Sequence, residues 1–157
     1  MIVVVIAGIL AAIAVPGFRS VILGNSVTSK TNELVGAMQI ARNEAVTRNA
    51  RVTLCPMDPT SATQCKADGN FRAGWIVFGD RDDDATVDAD EEIFAASTGT
   101  ATEMTFDPVG LVVDFRADGS AAVATNTTLT VCREEFASRL TVEPTGRAYA
   151  VKLDACP

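Results

Sequence analysis

The sequence predicts an α+β protein, with one long, kinked N-terminal α-helix packed on an antiparallel β-sheet head. Three observations predict it. The first fifteen residues, Met1 to Val15, carry no charge and no polar side chain. From Val27 onward, apolar residues recur at helical spacing. The remainder is a series of short β-branched and aromatic runs separated by Gly, Pro and Asp, which is the punctuation of strands and turns.

The apolar run comes first. A spanning helix takes about 20 apolar residues, and fifteen rise only about 22 Å against a hydrocarbon layer of about 30 Å. A signal peptide would carry basic residues in front and a small-residue cleavage site behind. Nothing basic precedes Ile2, and Val15-Pro16-Gly17 is a poor cleavage site. A core helix would carry a polar face, and this run has none. The reading we adopt is a longer membrane helix entered partway, with its first turns absent. Pro16 removes one helical bond, and helical residues resume beyond it, so it is expected to kink the helix rather than end it.

Leu34, Met38, Ala41 and Ala45 follow at spacings of four, three and four, one face of a helix of period 3.6. Lys30, Asn32, Glu33, Gln39, Arg42 and Asn43 clothe the other side. The helix is expected to reach about Asn49 and to lay its stripe on a sheet. The chain then divides into an apolar membrane segment, residues 1–26, and a globular head, residues 27–157, that includes the amphipathic half of the helix.

Strand signals occupy the head. Val52 and Leu54 fall on one face of a run from Arg51 to Leu54. Trp75-Ile76-Val77-Phe78 is bounded by Gly74 and Gly79, as a buried strand would be. Trp75 and Phe78 read as core residues on opposite faces of it. Ile93-Phe94-Ala95 can pair with that run. Met104 to Asp107 and Leu111 to Phe115 flank Asp107-Pro108-Val109-Gly110, a turn sequence that predicts a hairpin. Thr127 to Cys132 is a further strand. Leu140-Thr141-Val142 and Tyr149-Ala150-Val151 flank Pro144-Thr145-Gly146, a second hairpin. Gly146 there is expected to take positive φ.

Composition narrows the function. Thirteen basic against twenty acidic residues leave a net charge of -7, which opposes binding to nucleic-acid phosphates. The chain contains no histidine, so Ser-His-Asp and Cys-His catalysis are excluded. Glu91-Glu92 and Glu134-Glu135 are adjacent pairs whose side chains diverge in an extended chain, so they form no acid–base pair. We expect no enzyme and no resident cofactor.

The four cysteines are Cys55, Cys65, Cys132 and Cys156. An even number in an exported domain implies disulfides, with three possible connectivities. We choose Cys55–Cys65, closing a loop with Pro56, Pro59 and Gln64 that has no apolar periodicity. Cys132–Cys156 then pins the C-terminus, which would otherwise fray. A thiolate zinc site would want CxxC spacing, and none occurs.

Asp80, Asp82, Asp84, Thr86, Asp88 and Glu91 occupy places one, three, five, seven, nine and twelve of a calcium-loop pattern. Place six, ordinarily Gly, is Ala85. Two readings stay open. One is a calcium site. The other is a solvated acidic hairpin that discourages edge pairing.

With these residues in view, the chain resembles a known family. MIVVVIAGILAAIAVPGF is similar to the N-terminal helix of type IV pilins and type II secretion pseudopilins. In those proteins a peptidase leaves an N-methylated Phe before such a run, so Met1 would fall just inside the mature helix. NELVGAMQIARNEAVTRNARVTLCP, GWIVFGDRDDD with Glu91-Glu92-Ile93, and RLTVEPTGRAYAVKL resemble the GspH/FimT/FimU group of minor pilins and pseudopilins. The resemblance implies the type IV pilin fold and a structural role in priming the pilus tip. It implies other minor pilins and the major pilin as partners. It places the helix in the bacterial inner membrane with the head in the periplasm, and later in an extracellular fibre. Two alternatives stay open: a pseudopilin of type II secretion, and a DNA-binding pilin for transformation. DNA-uptake members carry Gly-Arg-x-Arg in the closing hairpin. Here Gly146-Arg147-Ala148-Tyr149 lacks the second arginine, leaving Arg147 and nearby Lys152 as the candidate contacts.

Overall fold

The computed structural model describes residues 2–66, 70–99, 103–107 and 111–157, with side chains of residues 4–17 excepted. Helix α1 spans Ile2–Arg48 without a break. Pro16 therefore does not end it. The helix closes on Asn49, whose φ of 50° is left-handed, the conformation that lets a C-terminal amide return to the last carbonyls. Ala50 N–H accordingly donates to the Ala45 carbonyl at 3.2 Å.

The buried stripe of α1 is Val27, Leu34, Ala37, Met38, Ala41 and Ala45, all sealed from solvent. Alanine recurs because a helix crossing a sheet must approach it closely. Lys30 is also buried, which the polar-face reading did not foresee. Its ammonium lies 3.0 Å from Glu33 Oε1, and the same oxygen accepts Trp75 Nε1–H at 2.7 Å. Burial tends to raise the Glu33 carboxyl, but bonds from Ser97, Lys30 and Trp75 outweigh it and hold the group below its ordinary value.

Nine strands follow: β1 Val52–Asp58, β2 Ser61–Cys65, β3 Gly74–Gly79, β4 Ile93–Thr98, β5 Thr105–Asp107, β6 Val113–Phe115, β7 Thr127–Arg133, β8 Phe136–Val142 and β9 Ala148–Leu153. They form two antiparallel sheets. One has the order β2-β1-β3-β4, with β6 also on β1. The other has the order β5-β7-β8-β9. Strand β1 is central and buried on both faces. Val52 and Leu54 join Trp75, Val77, Val113 and Phe115 in the main core under α1. Cys55 and Met57 turn to the far face with Ile76 and Phe78. Trp75 and Phe78 thus pack on opposite faces, as strand alternation requires.

Two expectations are corrected. The turn sequence Asp107-Pro108-Val109-Gly110 does not join a hairpin; residues 108–110 lie outside the described residues. β5 pairs with β7, Phe106 opposite Val131. β6 pairs with β1, Val113 opposite Leu54 and Phe115 opposite Val52. Turn chemistry marks where a chain bends, but burial of Phe106 and Phe115 against different strands decides the pairing. The stretch after Pro59, read as loop, contains β2. Its half-buried Ser61 and exposed Thr63 and Gln64 carry no apolar pattern, so only its pairing with β1 reveals it. The other two expected hairpins form: β3 with β4, Val77 opposite Ala95 and, past a register shift, Phe78 opposite Ile93, and β8 with β9, Val142 opposite Ala148.

The structure joins Cys55 to Cys65 across the β1–β2 hairpin, with Cα atoms 5.5 Å apart. It joins Cys132 on β7 to Cys156, with Cα atoms 5.8 Å apart. Cystine thus ties both the hairpin and the C-terminus to the head.

Candidate functional site

Three surfaces carry the residues that chemistry or exposure marks out. The first is the early part of α1. Ile2, Val3, Phe18, Val21 and Ile22 are exposed apolar side chains. Phe18 and Ile22 sit one helical turn apart and look across at the β7–β8 turn. Between them lies a groove of about 630 Å³ lined by Phe18, Arg19, Ile22, Leu23, Glu103, Arg133 and Glu134. Arg19 pairs with Glu134 at 2.9 Å. Arg133 donates to Ser26 Oγ at 3.0 Å and pairs with Glu103. Its Nε is buried and has no partner among the described residues. Sequence reading missed this groove. The i,i+4 pair Phe18–Ile22 was visible, but nothing local showed that Arg133 and Glu134 would face it. Among the described residues no helix is long and apolar enough to cross a membrane; most of the apolar run falls on residues 4–17.

The second surface is the acidic loop between β3 and β4. Asp80 is buried. It accepts the amides of Asp83 at 2.7 Å and Ala85 at 3.3 Å, and it shares the single Thr53 hydroxyl proton, at 3.1 Å, with Asp114, which lies nearer at 2.7 Å. Ala85, where the calcium pattern ordinarily has Gly, takes a φ of 60°, and Asp83 a φ of 66°. The sharp turn is present without its glycine. Asp80, Asp82 and Asp84 bring carboxylate oxygens within 4.8 Å of one another.

The other three pattern residues are placed differently. Thr86 bridges to Gln64 of β2. Asp88 is exposed, and its carboxyl is raised by lost hydration first and then by Asp84, Asp82, Glu91 and Asp90. Glu91 accepts the amides of Arg81 at 2.7 Å and Asp88 at 3.2 Å, closing the loop's base. Calcium would thus meet three gathered carboxylates. Asp114 on β6 lies beside Asp80 and Asp83. Burial raises its carboxyl above the ordinary range, against the opposing bond from Thr53.

The third surface is the closing turn. Gly146 has a φ of 80°, as expected, and a Cβ there would stand 2.0 Å from the Gly119 carbonyl oxygen. Arg42 of α1 clamps both turns, donating to the Gly119 carbonyl at 2.9 Å and the Thr145 carbonyl at 3.2 Å. Arg147 is exposed and stacks on Tyr149, 5.2 Å from the ring centroid. Strand parity puts Arg147 with Tyr149 on one face and Lys152 on the other. The structure does not bring the two basic residues together.

A family model described as "Type II transport protein GspH" matches residues 30–146. The chain belongs to the GspH family. Its match runs from the amphipathic half of α1 to the closing turn. The fold is similar to that of the type IV minor pilin FimU from Pseudomonas aeruginosa strain PAO1. One FimU crystal structure gives a TM-score of 0.64 at 17% identity, covering 85% of this chain and 96% of that one. A second crystal form gives 0.62 at 16% identity, covering 83% and 99%. No curated protein sequence matches the chain. GspH-family membership and the type IV pilin fold therefore stand together on a family match and an architecture match.

Proposed function

We propose that the chain is a minor type IV pilin, a structural component of the tip complex that primes pilus assembly. One observation supports this above the rest. A single unbroken helix carries two opposite kinds of surface. Its early part presents Phe18, Val21 and Ile22 outward, while Leu34, Met38, Ala41 and Ala45 of its later part are sealed under the sheets. A head that folds on one half of a helix leaves the other half for a lipid layer or for other helices. On this reading the arm sits in the bacterial inner membrane with the head in the periplasm, then in the fibre core after assembly. Other minor pilins and the major pilin are its partners, and the work is done by surfaces rather than by chemistry.

The family description favours a second reading, a pseudopilin at the tip of a type II secretion piston. DNA uptake is opposed by the net charge of -7 and by the separation of Arg147 from Lys152. Deletion of the gene in its own host tests all three. Loss of piliation, restored by the full chain but not by a chain lacking residues 1–26, is the expected result. Normal piliation with lost protein export would select the secretion reading. Normal piliation with lost transformation, together with duplex binding abolished by Arg147→Ala, would select DNA uptake.

A further inference from the structure

The groove beside Phe18 lies where the uncharged helix ends and the head begins. The residues up to Phe18 carry no charge. They make about 27 Å of helix, close to the hydrocarbon layer of about 30 Å. Arg19 is the first charge beyond them. Its pair with Glu134 sets the β7–β8 turn beside that end. By Gly24 helix and head are already in contact: a Cβ there would stand 3.2 Å from Phe136 Cδ1, and Leu23 is buried. The groove is therefore a wedge between arm and head, with exposed Phe18 and Ile22 on its helix side.

Two guanidiniums and two carboxylates line it: Arg19, Arg133, Glu103 and Glu134. Arg19 pairs with Glu134, and Arg133 with Glu103. Arg19 and both carboxylates are exposed, and such pairs hold weakly. Arg133 is more enclosed. Its Nη1 donates to Ser26 Oγ, which fixes the guanidinium against α1. The side-on edge formed by Nε and Nη2 is suited to receive a phosphate with two parallel bonds. Nη2 is engaged by Glu103, while the buried Nε has no partner among the described residues.

We propose that the groove seats one membrane phospholipid whose headgroup carries a phosphate and a primary ammonium. The phosphate takes the Nε–Nη2 edge of Arg133 and the guanidinium of Arg19. The ammonium takes Glu103 and Glu134, the carboxylates so released. An acyl chain runs along Phe18 and Ile22 toward the uncharged helix. Charge complementarity selects the headgroup. Two cations and two anions match a zwitterion, whereas an anionic lipid would set its charge beside two unpaired carboxylates. A quaternary ammonium has no N–H to donate to them. The proposal rests on reading the residues before Arg19 as a membrane arm, and it holds for either the pilus or the secretion reading.

The test uses the full chain. Flotation with phosphatidylcholine vesicles asks whether the arm inserts. Native mass spectrometry from micelles holding equal phosphatidylethanolamine, phosphatidylcholine and phosphatidylglycerol asks which lipid stays. The chain is expected to float and to keep one phosphatidylethanolamine, by about tenfold or more over the other two. Arg133→Lys keeps the charge but loses the side-on edge, and Glu134→Gln keeps the shape but loses a carboxylate. Each should cut that preference several-fold while flotation is unchanged. Arg19→Gln alters only an exposed side chain and should act the same way even if Arg133→Lys lowers the melt. A chain that floats but keeps all three lipids equally, or keeps phosphatidylglycerol best, would overturn the proposal and leave the arm in the membrane. So would a preference that all three variants retain, which would place the lipid elsewhere on the arm. A chain that does not float would overturn the membrane reading and the proposal with it.

Discussion

Replacing Asp80 by Ala should be the most damaging change available in the acidic loop. Asp80 is 1% exposed, holds the amides of Asp83 and Ala85 and shares the hydroxyl of Thr53 with Asp114. A hydrogen bond to a charged acceptor contributes about 1.5–3 kcal/mol, and a neutral one about 1. The Asp83 bond, at 2.7 Å, belongs to the strong class. The Ala85 bond is longer, at 3.3 Å, and the exposed loop lets water recover part of the loss. The same bonds hold two non-glycine residues at positive φ, a conformation that costs about 1 kcal/mol each and relaxes without them. The net loss is then about 3 kcal/mol, or about 10 °C in melting temperature for a head of this size. Asp80→Asn keeps one acceptor and should lose about half as much. Asp82→Ala removes an exposed carboxylate and should stay within about 0.5 kcal/mol. Urea denaturation at neutral pH with disulfides intact measures all three. An Asp80→Ala chain as stable as the parent, or an Asp82→Ala chain as damaged as Asp80→Ala, would refute this account of the loop.

Four further outcomes are expected. Asp114 has a raised carboxyl in the folded state, so its protonated form is the one folding favours. That contribution is complete below the unfolded value of about 3.9 and is lost as pH rises through the folded value. Asp114→Asn should therefore stabilise the head at pH 7 and lose its advantage on acidification; equal destabilisation at both pH values would contradict this. Gly146→Ala should cost about 2 kcal/mol or more in thermal melts, because it adds a left-handed strain and a Cβ against the Gly119 carbonyl. The head reaches back past residue 27, through buried Leu23, the Ser26–Arg133 bond and the Arg19–Glu134 pair. A chain lacking residues 1–26 should therefore fold but be less stable by about 2–3 kcal/mol than one lacking 1–18; identical melts would place the boundary where composition alone put it. Calcium bound by Asp80, Asp82 and Asp84 would act in the millimolar range of extracellular sites. On that reading 10 mM calcium raises the melting temperature by several degrees, and Asp82→Asn with Asp84→Asn removes the rise. A parent chain indifferent to calcium leaves the loop closed by its own amides.

What the amino-acid order determined by itself was local or periodic. The stripe Leu34, Met38, Ala41, Ala45 is set by a 3.6-residue period, and its burial follows wherever a sheet forms beneath it. The β8–β9 hairpin follows from Pro144-Thr145-Gly146, because a left-handed glycine turns the chain within a few residues. The run Trp75 to Phe78 shows its burial in its own composition. Only the tertiary structure decided matters that depend on residues far apart in the chain. The partners of β5 and β6 are chosen by core space, so their shared turn sequence could not reveal that they part company. β2 has no apolar signature and exists because β1 offers an edge. The difference between Asp80 and Asp82 is invisible in a run of aspartates; it appears when Thr53 of another strand meets one of them. The groove beside Phe18 joins α1 to a turn more than a hundred residues later. Local pattern encodes which face of an element is apolar, whereas the identity of the surface that covers it depends on how the whole chain fills its core.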